Sequence, residues 1–75
     1  MKNNDVLRRV RYALNLNDNK LVKIWSLGGK TVTREDIDLF MSKEEDENYQ
    51  ETTDETLNMF LDGLITFRRG DKNDA

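Results

Sequence analysis

The sequence predicts an all-α fold, a compact domain of four short helices. Apolar residues recur at the three- and four-residue spacing of a helix in four separate segments. No segment alternates apolar and polar residues as a half-buried strand does. With 75 residues the chain has room for one domain, and the strong periodicity argues against disorder although 36% of the residues are charged.

The first two helices are predicted over about 5–15 and about 18–27. Asn4 is the predicted N-cap of the first, and Asn17 or Asp18 caps the second. Gly28 and the glycine after it end the second helix, because glycine readily adopts the left-handed conformation that closes a helix. The apolar stripe of the first helix consists of Val6, Leu7, Val10, Ala13 and Leu14.

The third helix, over about 34–42, has the clearest start, because Thr33 and Asp36 form a capping-box pair. The last helix is predicted over about 54–67 after the cap Thr53, and the segment before it is an acidic loop. Gly63, inside this last helix, costs about 1 kcal/mol relative to Ala, so it marks a close helix crossing. The predicted core comprises Trp25, Phe40, Phe60, Leu61 and Leu64.

Composition excludes several classes of function. The chain has no cysteine and no histidine, which removes thiolate nucleophiles, the usual general base near neutral pH and the usual zinc ligands. We therefore expect no enzyme, no cofactor, no metal and no small-molecule substrate. The lack of cysteine favours a reducing, cytoplasmic setting. No apolar run reaches the roughly 20 residues of a membrane span, and the N-terminus does not resemble a signal peptide.

Charge is segregated along the chain, although the net charge is only −3. Residues 1–34 carry eight basic and two acidic side chains, or +6, whereas residues 35–55 carry one basic and ten acidic side chains, or −9. The side of the first helix opposite its apolar stripe bears the candidate partner-binding residues Arg8, Arg9, Arg11 and Tyr12. Basic residues beside an aromatic one can contact nucleic acid or an acidic protein surface, although a solvated helix face has the same pattern.

Three other motifs favour structural interpretations. Gly29-Lys30-Thr31 lacks the leading glycine and the preceding strand of a phosphate-binding loop. A helix-turn-helix would place acidic residues 35–38 against phosphate, which disfavours DNA binding by the third helix. The acidic run 44–47 lacks the alternating ligands and the glycine of a calcium loop, so a solvated loop is the simpler interpretation.

Across residues 3–70 the pattern resembles the bacterial YehS-like family, a domain of unknown function. The resemblance is carried by N-N-D-V-L-R-R-V-R-Y-A-L (3–14), I-W-S-L-G-G (24–29), K-E-E-D-E-N-Y (43–49) and F-L-D-G-L-I-x-x-x-R-G (60–70). It implies a cytoplasmic bacterial protein with two such modules in tandem, of which this chain has one. We expect a single helical domain over 1–70 and a polar tail over 71–75 that suits the start of a linker. The resemblance implies no catalytic or binding residues.

The function is therefore unknown at this level, and two hypotheses remain. The first is a non-catalytic protein-interaction module that binds a second copy, a tandem partner module or another protein. The alternative is a small nucleic-acid-binding domain that uses the basic face of the first helix, together with Arg68 and Arg69. No membrane association is expected from the sequence.

Overall fold

A computed structural model describes residues 1–70 as four helices: α1 (Asn3–Leu14), α2 (Asp18–Leu27), α3 (Arg34–Phe40) and α4 (Asp54–Arg69). Within these residues there is no strand, so the predicted all-α architecture is confirmed. Every predicted helix end lies within two residues of the observed one. The tail predicted over 71–75 lies outside the described residues.

Side-chain caps define the starts of three helices. Thr33 Oγ1 accepts a hydrogen bond from the backbone N–H of Asp36 at 3.1 Å, and the Asp36 carboxylate accepts one from the N–H of Thr33 at 2.9 Å. Asn17 caps α2 through the N–H of Lys20 at 2.9 Å, and Thr53 caps α4. These capping bonds satisfy amide groups that a helix start leaves without intrahelical partners, and those between Thr33 and Asp36 are reciprocal.

The cap predicted for α1 is wrong. Asn4 is the second residue of this helix, and Lys2 precedes its first turn. The Asp5 carboxylate accepts a hydrogen bond from the Lys2 backbone N–H at 3.0 Å, which provides the capping contact that we assigned to Asn4. The Asn4 side chain is buried instead, and its partners come from distant parts of the chain.

The core is centred on Trp25, whose indole lies between the rings of Phe40 and Phe60, with centroids 5.0 Å and 4.9 Å away. Trp25 Nε1 donates to the backbone oxygen of Thr56 at 3.1 Å, so the buried indole has a partner. The buried apolar side chains of the core are Leu7, Leu16, Leu21, Ile24, Trp25, Val32, Ile37 and Phe60.

The predicted core is correct for Trp25 and Phe60, whereas Phe40 and Leu64 are only partly buried. The assignment of Leu61 to the core is wrong, because 38% of this residue's surface is exposed. The buried side of α4 is centred on Phe60, and one residue advances a helix by about 100°. Leu61 therefore lies at the edge of the apolar stripe and faces solvent.

Helices α2 and α4 cross at two glycines. A Cβ atom added to Gly63 would lie 2.9 Å from the backbone nitrogen of Gly28, and closer still to the carbonyl oxygen of Ile24. A Cβ added to Gly28 would lie 2.8 Å from the carbonyl carbon of Met59 and closer to its oxygen. The close crossing predicted from Gly63 is confirmed, and its counterpart is Gly28, the residue that immediately follows α2.

The acidic and polar segment 42–52 is a loop between α3 and α4, as predicted. It contains two successive turns, and in the first the N–H of Asp46 donates to the oxygen of Lys43 at 2.8 Å. The N–H of Tyr49 then donates to the oxygen of Asp46 at 3.1 Å. Backbone bonds therefore give this charged segment a defined path.

Candidate interaction surface

Arg8, the first of the four predicted partner-binding residues, is used within the fold. Its guanidinium donates to the backbone oxygens of Met41 and Ser42 at 3.0 and 2.9 Å, and it forms an ion pair with Asp5. These bonds fasten α1 to the C-terminal end of α3. The pKa of the Asp5 carboxyl is lowered chiefly by the hydrogen bond from the Lys2 N–H; burial opposes this effect, and the charge on Arg8 adds to it.

Arg11 also has partners within the domain. Its Nε donates to the backbone oxygen of Leu16 at 3.0 Å, and its Nη2 lies 3.0 Å from a carboxylate oxygen of Asp18 at the start of α2. The arginine thereby links the end of α1 to the start of the next helix. Both bonds involve the short connection between the two helices, so we interpret Arg11 as a residue that orients α2.

The other two predicted residues, Arg9 and Tyr12, lie on the outer side of α1. Tyr12 is 73% exposed, and the Arg9 guanidinium contacts the sulfur of the exposed Met1. The basic face is thus divided: two arginines hold the fold together, while Arg9 and Tyr12 face solvent. Periodicity places all four residues away from the apolar stripe, but it does not reveal that two of them meet the α3 end and the α2 start.

Asn4 is a buried polar residue whose role the sequence prediction missed. Its amide nitrogen lies 2.9 Å from the backbone oxygen of Gln50, 3.2 Å from that of Ser42 and 3.3 Å from that of Leu39. Its oxygen accepts a hydrogen bond from the backbone N–H of Thr52 at 2.8 Å. One side chain therefore joins α1, the end of α3 and both ends of the acidic loop.

A sequence signal for this role does exist. Asn4 precedes the fully buried Leu7 by three residues, and side chains three apart share one face of a helix. An asparagine on the core side of a helix must find buried partners, because an unpaired amide costs roughly 1–3 kcal/mol. Two further bonds tie this end of the domain together, from Asn3 Nδ2 to the oxygen of Thr52 at 2.9 Å and to Asp54 Oδ1 at 2.8 Å.

The acidic loop packs against the start of α1. Lys2 Nζ lies 3.5 Å from a carboxylate oxygen of Glu51, and the Tyr49 hydroxyl is buried without a hydrogen-bond partner. Burial raises the pKa of Tyr49, and the neighbouring charges of Glu51 and Glu44 raise it further. In residues 1–70 no group of three or more carboxylates is arranged to hold a metal ion.

The outer side of α4 exposes large apolar side chains. Leu61 is 38% exposed and Ile65, one turn later, is 56% exposed. Leu57 and Leu64 on the adjoining side are half-buried and pack against the core. Arg68 and Arg69 are exposed at the end of the same helix. An apolar strip therefore runs along α4 beside its buried face. The helix periodicity predicts that Leu57, Leu61, Leu64 and Ile65 belong to the buried face of this helix, which is wrong for Leu61 and Ile65.

No helix within residues 1–70 is both long enough and apolar enough to cross a membrane.

Comparison with known proteins identifies the family. Residues 3–70 match the family described as "Protein of unknown function (DUF1456)". The chain is also 44% identical over all of its 75 residues to "Uncharacterized protein YehS" of Escherichia coli strain K12, and it covers 48% of that protein. It thus spans about half the length of this relative. No solved structure matches the chain. The resemblance seen in the sequence is confirmed: the chain belongs to the YehS-like family of proteins of unknown function.

Proposed function

We propose that the chain is a non-catalytic protein-interaction module whose contact surface is the outer side of α4. The observation that supports this proposal is the exposure of Leu61 and Ile65 beside the half-buried Leu57 and Leu64. Single exposed apolar residues are common on protein surfaces, but a continuous strip of them is typical of an interface. Burying the exposed parts of Leu61 and Ile65 would contribute on the order of 1–2 kcal/mol each.

The distribution of charge supports α4 rather than α1 as the contact surface. Three basic residues near the N-terminus have acidic partners inside the domain: Lys2 with Glu51, Arg8 with Asp5 and Arg11 with Asp18. Arg8 and Arg11 pair with carboxylates of the basic segment itself, and Lys2 pairs with the acidic loop, so these three basic side chains already have partners within the domain. Such a module suits a reducing, cytoplasmic setting, because the chain has no cysteine.

The test is affinity capture from a lysate with the intact chain as bait, before and after nuclease treatment. The matched bait is the double variant Leu61→Glu and Ile65→Glu, with far-UV circular dichroism as the check that it remains helical. The proposal expects protein partners that survive nuclease and are lost with the double variant. Retention of nucleic acid alone, or equal capture by both baits, would contradict it and favour the basic face of α1.

A further inference from the structure

The exposed side of α4 carries charge at both ends and apolar residues between them. Asp54, Leu61 and Arg68 are spaced seven residues apart. Their side chains therefore leave the helix on nearly the same side, each turned by only about 20° around the helix axis from the one before. Leu57 precedes Leu61 by four residues and Ile65 follows it by four, so both are neighbours of Leu61 on the helix surface. Asp54, Leu61, Ile65 and Arg68 are exposed, and Leu57 is half-buried. We refer to these five residues as the α4 strip.

The α4 strips of two copies are complementary to each other when the two helices run antiparallel. Asp54 and Arg68 are equally far from Leu61, about 10.5 Å along the helix axis at 1.5 Å per residue. A twofold axis through Leu61 would bring each Arg68 opposite the Asp54 of a second copy. The same operation places Ile65 opposite Leu57 and Leu61 opposite its own equivalent. Such a self-matching patch is what a twofold interface between identical chains requires.

We propose that two copies of this chain associate through the α4 strip, with their α4 helices antiparallel and Leu61 at the twofold axis. This inference rests on the proposed interaction function and names the partner. The apolar centre supplies the attraction, and the Asp54–Arg68 pairs at its two ends fix the register. Asp54 remains able to form this pair because Asn3 bonds only its Oδ1 oxygen.

The second copy is favoured over an unrelated partner for two reasons. The strip is acidic at one end, apolar in the middle and basic at the other, so an antiparallel second copy is complementary to it and no other partner needs to be assumed. The Escherichia coli relative is also about twice as long as this chain, so one polypeptide of that length has room for a second unit of this size. A contact between two helix faces is small, and we expect weak association in the micromolar range.

Charge exchange across the interface provides the test. Purified chain is measured by sedimentation equilibrium over a range of concentrations at low salt, as wild type, Arg68→Asp and Asp54→Arg. Each variant places like charges opposite one another at both ends of a homodimer, and we expect its dissociation constant to be about tenfold higher than that of the wild type. An equimolar mixture of the two variants restores opposite charges, so it should associate as strongly as the wild type.

Arg69→Asp is the matched control, because Arg69 is exposed but lies about 100° around the helix from Arg68. It should leave the dissociation constant within about twofold of the wild type. Leu61→Glu should abolish association, and it also provides a test if Asp54→Arg disturbs the start of α4. Circular dichroism verifies that each variant is folded.

Three results would overturn the proposal: a wild-type chain that stays monomeric at every concentration, a mixture no stronger than the separate variants, or equal weakening by Arg69→Asp. If the purified chain is monomeric while affinity capture still depends on Leu61 and Ile65, the second copy is the wrong partner and the interaction function stands. If capture fails as well, both proposals fail.

Discussion

Replacing Gly63 by alanine should destabilise the domain, although helix propensity alone predicts the opposite. An alanine in a helix interior is favoured over glycine by about 1 kcal/mol. In this fold the added methyl group would lie 2.9 Å from the Gly28 nitrogen and closer to the Ile24 carbonyl oxygen. Both neighbours belong to the backbone, so no rotation of a side chain can relieve the overlap. Helices α2 and α4 must separate instead.

The loss of stability follows from the contacts that would be weakened if α2 and α4 moved apart. The Trp25 hydrogen bond to Thr56 and the contact of its ring with Phe60 both join α2 to α4. Overpacking of this kind costs typically about 1–3 kcal/mol, and here it must also exceed the gain in helix propensity. Because the overlaps are with backbone atoms, we take the upper end of that range, about 3 kcal/mol, and subtract the gain of about 1 kcal/mol in helix propensity. The net loss of about 2 kcal/mol lowers Tm by roughly 8–16 °C in a domain of this size. That is a large share of the few kcal/mol available to so small a chain.

Urea denaturation followed by far-UV circular dichroism measures this loss. The matched control is Asp62→Ala, the adjacent and exposed position on the same helix, which gains helix propensity without meeting a neighbour. Asp62→Ala should match or exceed the wild type in stability, while Gly63→Ala should shift the midpoint to lower urea with an unchanged slope. A Gly63→Ala variant as stable as the wild type would refute the close crossing.

Three further predictions concern the core and the N-terminal end. Asn4→Ala should lower the free energy of unfolding by about 1–3 kcal/mol, because it removes the hydrogen-bond partner of the buried Thr52 N–H and of the Gln50 carbonyl; Asn48→Ala, in the exposed loop, should leave the urea midpoint unchanged. Phe60→Ala should cost about 3–5 kcal/mol and abolish the helical circular dichroism signal at 25 °C, and a normally melting variant would contradict the core assignment. Because the folded-state pKa of Asp5 is lowered, its stabilising contribution is present above the ordinary value of 3.8 and is lost as pH falls through the folded-state pKa. Asp5→Asn should therefore narrow the difference in stability between about pH 6 and about pH 3 relative to the wild type, and an equal difference in both proteins would contradict this assignment.

The helices and most of their ends follow from local patterns. Thr33 and Asp36 act on each other across three residues, and Asn17 caps the segment that follows it, so the chain close to each helix start contains the necessary information. Gly63 was also informative, because an unfavourable residue inside a helix requires a compensating contact. Such signals need no knowledge of how the helices pack.

The burial of Leu61 and the partners of Arg8 depend on how the helices pack, and periodicity along the sequence does not reveal them. Leu61 belongs to the apolar stripe of α4, but α4 packs mainly against α2, and the edge of the stripe remains exposed. Arg8 lies on the polar side of α1, yet it meets backbone oxygens at the end of α3 that are more than 30 residues away in sequence. The candidate surface shifted from α1 to α4 because the structure gives Arg8 and Arg11 partners within the domain.

The buried amide of Asn4 also has a consequence for the order of folding during synthesis. Its partners lie between 35 and 48 residues later in the chain. The first helix therefore cannot complete its polar contacts until Thr52 has been synthesised and has left the ribosome. Until then the amide depends on water for its hydrogen bonds, and α1 has no fixed place against α3. The first helix, although it precedes the other three in the sequence, thus waits for the acidic loop before its polar contacts can form.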